Sequence, residues 1–179
     1  MMYQKKIKQI HKSLGIPNDY GKSGGLPCYS EEINLVYVGI DLYGRKQFLN
    51  NEAAYYWKKL KSSALSEDIE LFIVSGFRSF DYQASLIKKK LDNGQSISEI
   101  LAINAAPGFS QHHTGCAIDI TTQECEPLTE EFEKTEAFAW LSINADSYGF
   151  SMTYPRNNRY GFIYEPWHWA MNEKLVKKF

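Results

Sequence analysis

A surplus of basic residues, long apolar runs and paired cysteines are all missing from this chain, and each absence removes a class of protein. Lysines and arginines number 20 against 21 acidic residues over 179 positions, a net charge of -1 at neutral pH. With the two signs interspersed there is no basic face for a phosphate backbone or an anionic membrane, so nucleic acid is excluded as the expected partner. No apolar run approaches the ~20 residues of a membrane span, and Met1 to His11 lacks the apolar stretch of a secretory signal. The expectation is therefore a cytoplasmic chain. Three cysteines, Cys28, Cys116 and Cys125, are odd in number and lack disulfide-framework spacing, which suits a reducing compartment. Repeats, low-complexity segments and linker-like composition are also absent, so one domain with a single substantial core is expected.

What is present reads as short helices followed by strands. Ile7, Ile10 and Leu14 recur at helical spacing among lysines, with Gly15 as the stop. A Gly-, Pro- and Ser-rich segment runs to about Ser30, followed by a strand from Ile33 to Val38 and a turn at Leu42 to Arg45. Asn51 is positioned to cap a helix through Ala64, and Ile69 to Val74 alternates as a buried strand. Ser79 caps a helix carrying Tyr82, Leu86 and Lys88 to Lys90, the last three read as a solvated face. Ser96 to Glu99 has the form of a capping box, and Pro107-Gly108 ends that helix. Ala117 to Thr121 reads as a strand, Thr135 to Tyr148 as a helix, and Phe150 to Tyr154 and Tyr160 to Trp169 as two strands joined by a polar turn. Adjacent strands with hairpin-type connections predict an α+β domain, with a central antiparallel sheet and helices packed against it.

Three of the four histidines fall in two short segments, Ser110 to Asp119 and Glu165 to Trp169. A catalytic zinc takes three ligands from His and carboxylate and leaves one position to water, and these segments offer that donor set. Asp119 on a strand, His168 on its neighbour and one of His112 and His113 would supply it. Adjacent histidines on an extended chain face opposite ways, and spacing does not say which one binds. Glu165, three residues before His168, could take a proton from water. Cys116 and Cys125 lack the CxxC spacing of a structural zinc site. His11 reads as a hydrogen-bonded structural residue, and Trp167 and Trp169 as core aromatics. Arg78, one of four arginines, lies between a strand end and a helix start in Ser75-Gly76-Phe77-Arg78-Ser79, where it could hold a carboxylate or a developing oxyanion.

These residues resemble the zinc-dependent D-alanyl-D-alanine carboxypeptidases of the VanY type, with the related L,D-carboxypeptidases, D,D-dipeptidases and phage endolysin peptidases. The family pattern Ser-x-His-x-x-Gly-x-Ala-x-Asp is matched by Ser110, His112, Gly115, Ala117 and Asp119, and Glu-x-Trp-His by Glu165, Trp167 and His168. A Ser-Gly-Tyr-Arg-Ser segment with Gln five residues after Arg is met by Ser75 to Ser79 and Gln83, with Phe77 in place of Tyr. Similarity continues through Tyr148-Gly149-Phe150, Tyr154-Pro155, Gly161 and Tyr164 to Trp169, so that it covers roughly residues 33 to 172.

The resemblance implies that His112 rather than His113 joins Asp119 and His168 as zinc ligands, with Glu165 as base. It implies that Arg78 binds substrate and polarises the scissile carbonyl, with Ser110 and Gln83 as further contacts to the peptide. Residues 1–32 would be a helix and loop extension and 33–179 the zinc peptidase domain. The implied cofactor is Zn2+ and the implied partner a peptidoglycan stem peptide or its precursor, met by a monomer. The implied activity is D,D- or L,D-carboxypeptidase removal of a terminal D-alanine, with L-alanyl-D-glutamate endopeptidase or D,D-dipeptidase action as alternatives. An inactive zinc-containing binding module is the reading outside enzymes, and the presence of Glu165 argues against it. Many relatives are exported or anchored, so action at the cell envelope by another export route stays open. The polar connections 15–30 and 122–134, which flank the motifs, are candidate lids.

Overall fold

The structure, a computed structural model, describes residues 2–22 and 25–171. The end of the segment of resemblance, at residue 172, and the remainder of the chain to 179 lie outside the described residues. Helix α1 (Met2–Leu14) buries Ile7 and Leu14. Strands β1 (Leu35–Ile40) and β2 (Lys46–Asn50) form an antiparallel hairpin. Its turn is closed by the buried Asp41, whose carboxylate accepts from Tyr43 N, Arg45 N and Arg45 Nε. β1 begins two residues later than expected, and β2 was not expected at all. The inward residues of β2 are Gln47 and Leu49, and a buried glutamine breaks the alternation by which a strand is recognised.

Helix α2 (Asn51–Leu65) is capped by Asn50, not by Asn51. Asn50 is the last residue of β2 and already extended, so its Oδ1 can accept from Ala53 N at 2.8 Å. Strand β3 (Phe72–Ser75) is shorter than the expected 69–74, because Ile69 N closes the end of α2 on Ala64 O at 3.0 Å. Helices α3 (Phe80–Asp92) and α4 (Ile97–Ile103) start at the expected caps, Ser79 and the reciprocal Ser96–Glu99 pair. Strand β4 (Ala117–Thr121) follows as expected. Helix α5 (Glu136–Asn144) ends earlier than expected and is continued by a 3-10 turn over 145–148.

β5 (Phe150–Met152) is a short strand, and β6 (His168–Met171) replaces the long strand expected over 160–169. Residues 160–167 stay irregular because their backbone groups are taken locally: Asn158 Nδ2 donates to Phe162 O at 2.7 Å and Glu165 N to Tyr154 O at 3.0 Å. Pro166 has no N–H to offer a ladder.

The main sheet has the order β3-β4-β6-β5, antiparallel throughout. Ile73, Ile118, Ile120, Trp169 and Met171 turn one face onto Trp57 and Leu60 of α2 and Leu141 of α5. Ile118 and Ile120 are fully buried there, each such side chain being worth about 1.5–3 kcal/mol. The alternate residues Asp119 and His168 therefore face the other way. A second, smaller core of Leu14, Ile16, Ile87, Ile100 and Ala106 joins α1, α3 and α4. The architecture is α+β, as expected. Among the described residues no helix is long and apolar enough to cross a membrane.

Candidate functional site

Strand register does the first part of the assembly. Asp119 pairs directly with His168 across β4 and β6, which brings His168 Nδ1 to 2.9 Å from Asp119 Oδ1. His112 arrives from a 3-10 turn over Gln111–Thr114, with its Nε2 3.3 Å from Asp119 Oδ2. The two motif glycines explain how that turn fits. A Cβ on Gly115 would lie 2.7 Å from Asn50 N and one on Gly76 2.5 Å from Phe48 O, so only glycine lets both loops lie against β2. Asn50 N then bonds Gly115 O at 3.0 Å and Phe77 N bonds Phe48 O at 2.7 Å.

The outer nitrogens of the two imidazoles fix their tautomers. His112 Nδ1 lies 2.6 Å from Gly76 O, and a carbonyl only accepts, so Nδ1 carries the proton and Nε2 the lone pair. His168 Nε2 donates in the same way to Gln111 Oε1 at 2.9 Å, which leaves its lone pair on Nδ1. Both lone pairs thus converge on the Asp119 carboxylate, itself an acceptor, and His112 Nε2 is buried without a hydrogen-bond partner. Acceptors facing acceptors in a buried place call for a cation between them. One ligand atom from each of His112, Asp119 and His168 lies within 4.8 Å of the others. The donor set fits zinc, with outer partners orienting each imidazole.

The electrostatics agree. Burial pushes His112 down to about 4, helped by the Arg78 charge and opposed by Asp119, so the ring is neutral and its lone pair free. Burial alone would raise Asp119, but the Arg78 guanidinium bonded to it outweighs burial and holds the carboxyl well below its ordinary range. Arg78 Nη2 donates to Asp119 Oδ2 at 2.6 Å, while its Nε is held by Ser75 Oγ at 2.9 Å and its Nη1 by Gln83 Oε1 at 3.3 Å. Glu165 sits at the head of a tight turn in which His168 N donates to Glu165 O at 3.1 Å, so both side chains reach one cleft. Burial raises the Glu165 carboxyl to about 7, with His168 opposing and Asp119 adding.

The cleft, about 610 Å³, is lined by Arg78, Ser110, His112, Asp119, Glu165 and His168, with Gln83 on its wall. All seven sequence-predicted site residues therefore meet in one place. Gln83 has less freedom than a contact to a peptide would suggest. Its amide is engaged at both ends, to Arg78 and to Ala105 O at 2.8 Å, so it acts chiefly by holding Arg78. His113 is placed elsewhere: Nδ1 bonds Arg78 O at 2.6 Å, Nε2 accepts from Gly108 N at 3.1 Å, and the ring meets Phe80 edge-on. Of the two candidate lids, 122–134 brings Leu128 to the cleft; no described residue of 15–30 lines it.

Two polar residues beyond the motifs also bear on the site. Gln111 is the unspecified position beside His112, and only its neighbour could have drawn notice to it. Gln47 acts from the hairpin: its Oε1 accepts from Gly76 N at 2.9 Å, and its Nε2 donates to Asp41 Oδ2 at 2.8 Å. A buried chain thus runs from Asp41 through Gln47 to the N–H of Gly76, and from the C=O of the same residue to His112 Nδ1. No spacing rule links position 47 to position 112.

Residues 46–173 match the family model described as VanY, D-alanyl-D-alanine carboxypeptidase. The chain is 28% identical over 173 residues to the D-alanyl-D-alanine carboxypeptidase of Enterococcus faecium, covering 93% of this chain and 51% of that protein. In structure it is similar to the LD-carboxypeptidase LdcB, with a TM-score of 0.70 at 32% identity over 79% of this chain and 69% of that one. A Glu-to-Ala variant of the vancomycin-resistance D,D-pentapeptidase VanY, solved with Zn(II), shares the fold at a TM-score of 0.61 and 22% identity, over 81% of this chain and 82% of that one. The chain spans about half the length of the curated carboxypeptidases it matches. With the family model covering most of the chain and its motif residues gathered in one cleft, this chain belongs to the VanY family of D-alanyl-D-alanine carboxypeptidases.

Proposed function

We propose that this chain is a zinc-dependent peptidase that removes a terminal D-alanine from peptidoglycan stem peptides, as a D,D- or L,D-carboxypeptidase. The observation that carries the reading is the pair of imidazole lone pairs converging on Asp119 in a cleft that also holds Glu165 and Arg78. Family membership supports it, as do the named activities of the E. faecium carboxypeptidase and of LdcB. The Zn(II) complex of a protein with this fold supports the choice of metal.

His112, Asp119 and His168 would hold the zinc, which when bound supplies a Lewis acid and lowers the pKa of a water to about 7. Glu165 Oε takes the proton of the attacking water and returns it to the leaving amine. A carboxyl raised by burial is suited to both transfers near neutral pH. Arg78, braced by Ser75 and Gln83, donates to the scissile carbonyl oxygen as charge develops there. Ser110, buried and without a side-chain capping bond, offers its hydroxyl to the peptide.

The test is mass spectrometry of the zinc-loaded protein incubated with stem tetrapeptide and pentapeptide. Loss of one alanine from the pentapeptide makes it a D,D-carboxypeptidase, and loss from the tetrapeptide alone an L,D-carboxypeptidase. Internal cleavage would make it an endopeptidase, and splitting of free D-alanyl-D-alanine into two alanines, tested alongside, a D,D-dipeptidase. Glu165→Ala should keep zinc and the fold while losing about 10²- to 10⁴-fold in rate, and a chelator should silence the wild type. Zinc bound with no product from either peptide would overturn the reading in favour of a binding module.

A further inference from the structure

The Lys88-Lys89-Lys90 run was expected to be a solvated helix face, and it divides. Lys88 Nζ pairs with Asp92 in solvent at 3.0 Å; Lys89 and Lys90 both line the cleft, Lys89 with an exposed side chain and Lys90 half-buried. Helical spacing explains the difference. Gln83, Leu86 and Lys90 at i, i+3 and i+7 form one stripe of α3, and all three line the cleft. The Lys90 ammonium donates to Asn104 Oδ1, just beyond α4, which leaves two of its three donors unused.

Both arginines of the cleft have anions of their own: the buried-side Arg78 has Asp119, and the exposed Arg45 has Asp41. Among the described residues Lys90 has no carboxylate partner. A half-buried ammonium held only by a neutral amide keeps donors free for an anion in the cleft. Burial indeed lowers its pKa, with Arg78 adding and Glu165 opposing. Asn104 Nδ2, beside the ammonium, also has no hydrogen-bond partner among the described residues, so two kinds of donor face the same space.

We propose that Lys90, backed by Asn104, binds a carboxylate of the peptide substrate and so selects which peptides the cleft accepts. This inference rests on the peptidase reading above. A carboxylate suits the site because it can accept from the ammonium and the amide together. Such a group has two sources on an acidic peptide, the free C-terminus of the leaving residue and a side-chain carboxylate further up the chain.

The experiment compares wild type, Lys90→Met and Lys90→Arg, all zinc-loaded, on one D-alanine-terminated stem peptide. The peptide is supplied as the free acid, as its C-terminal amide and with its side-chain carboxylate amidated. Lys90→Met should raise KM for the free acid by about tenfold or more, with kcat within about twofold, on the strength of a charge-assisted hydrogen bond. Lys90→Arg should restore much of the loss. The amidated form that wild type handles as poorly as Lys90→Met handles the acid identifies the carboxylate. Equal losses on all three forms, or no change on any, would overturn the assignment. If wild type cleaves none of them, the peptidase reading fails first. Calorimetric affinities of the same three forms then judge Lys90 alone, and equal affinities reject it.

Discussion

The sheet wall of the cleft and its helical wall hold their polar groups by different means. On the sheet side, Asp119 and His168 are fixed by strand register, and the imidazoles of His112 and His168 are oriented by buried acceptors, Gly76 O and Gln111 Oε1. On the helical side, Gln83 and Lys90 stand on one stripe of α3, over a separate small core that includes Leu14, Ile87 and Ile100. They are held through side chains or single loop carbonyls. The sheet side has the rigidity that metal ligation and proton transfer need. The helical side packs on a core shared with α1, and it meets the sheet-side geometry through Gln83, which braces Arg78 against Asp119.

The largest effects should come from the sheet wall and separate two neighbours. His112→Ala should abolish zinc binding by atomic absorption and leave the fold intact. His113→Ala should retain zinc yet cost about 2–4 kcal/mol of stability, because a buried ring with both nitrogens bonded is lost. Zinc lost only from the His113 variant would break the account of the site. Gln47→Leu comes next. It touches neither metal nor cleft, but it removes the support of the Gly76 peptide that orients His112. Zinc affinity, measured by chelator competition, should fall about 10- to 100-fold, the usual cost of a lost outer partner. An unchanged affinity would mean that β2 holds Gly76 through its backbone alone.

The same contrast governs what could be read from the chain. Ser110 to Asp119 and Glu165 to His168 were legible because short loops and one strand pair put their chemistry within a few residues. His112 could not be told from His113 by spacing, since the choice depends on Gly76 O and Arg78 O, about 35 residues upstream. The strand carrying Gln47 was missed because its inward residue is polar. Its function lies in a contact of sequence separation 29 that no periodicity encodes. Lys90 was misread for the opposite reason: a run of three lysines looks uniform in sequence, while a helix turns each by about 100°, so that Lys88 faces solvent, Lys89 reaches the cleft exposed and Lys90 lines it half-buried.

Smaller effects should appear in the pH dependence of the zinc-stripped protein. Burial pushes His113 down to about 3 and His112 to about 4, from an ordinary value of 6.5. The fold keeps both rings neutral while the unfolded chain protonates them. Their contribution to stability is therefore full above pH 6.5, and is lost as the pH falls toward 4 and then 3. Glu165 runs the other way. With its carboxyl raised from 4.5 to about 7, its contribution is full below 4.5 and lost as the pH rises through 7. Denaturant midpoints should thus fall toward acid in the wild type, and less steeply in His113→Phe. Glu165→Gln should remove the loss above pH 4.5. A midpoint that rose toward acid in Glu165→Gln would mean that the histidines are not held neutral.

The smallest expected effect is the sharpest check on the helical wall. Lys88 pairs with Asp92 one turn along α3, with side chains 68% and 60% exposed, and such an i,i+4 pair contributes about 0.3–0.5 kcal/mol before salt screens it. Lys88→Ala should therefore shift stability by no more than about 0.5 kcal/mol and leave KM for the acidic peptide unchanged. That null result would show that position on the helix stripe, and not the summed charge of the run, gives Lys90 its contact with the cleft. If Lys88→Ala raised KM as Lys90→Met does, the three lysines would be acting as one electrostatic field, and the effect should then fade as ionic strength rises past physiological. An effect confined to Lys90 and persisting in salt would belong to a direct bond inside the cleft.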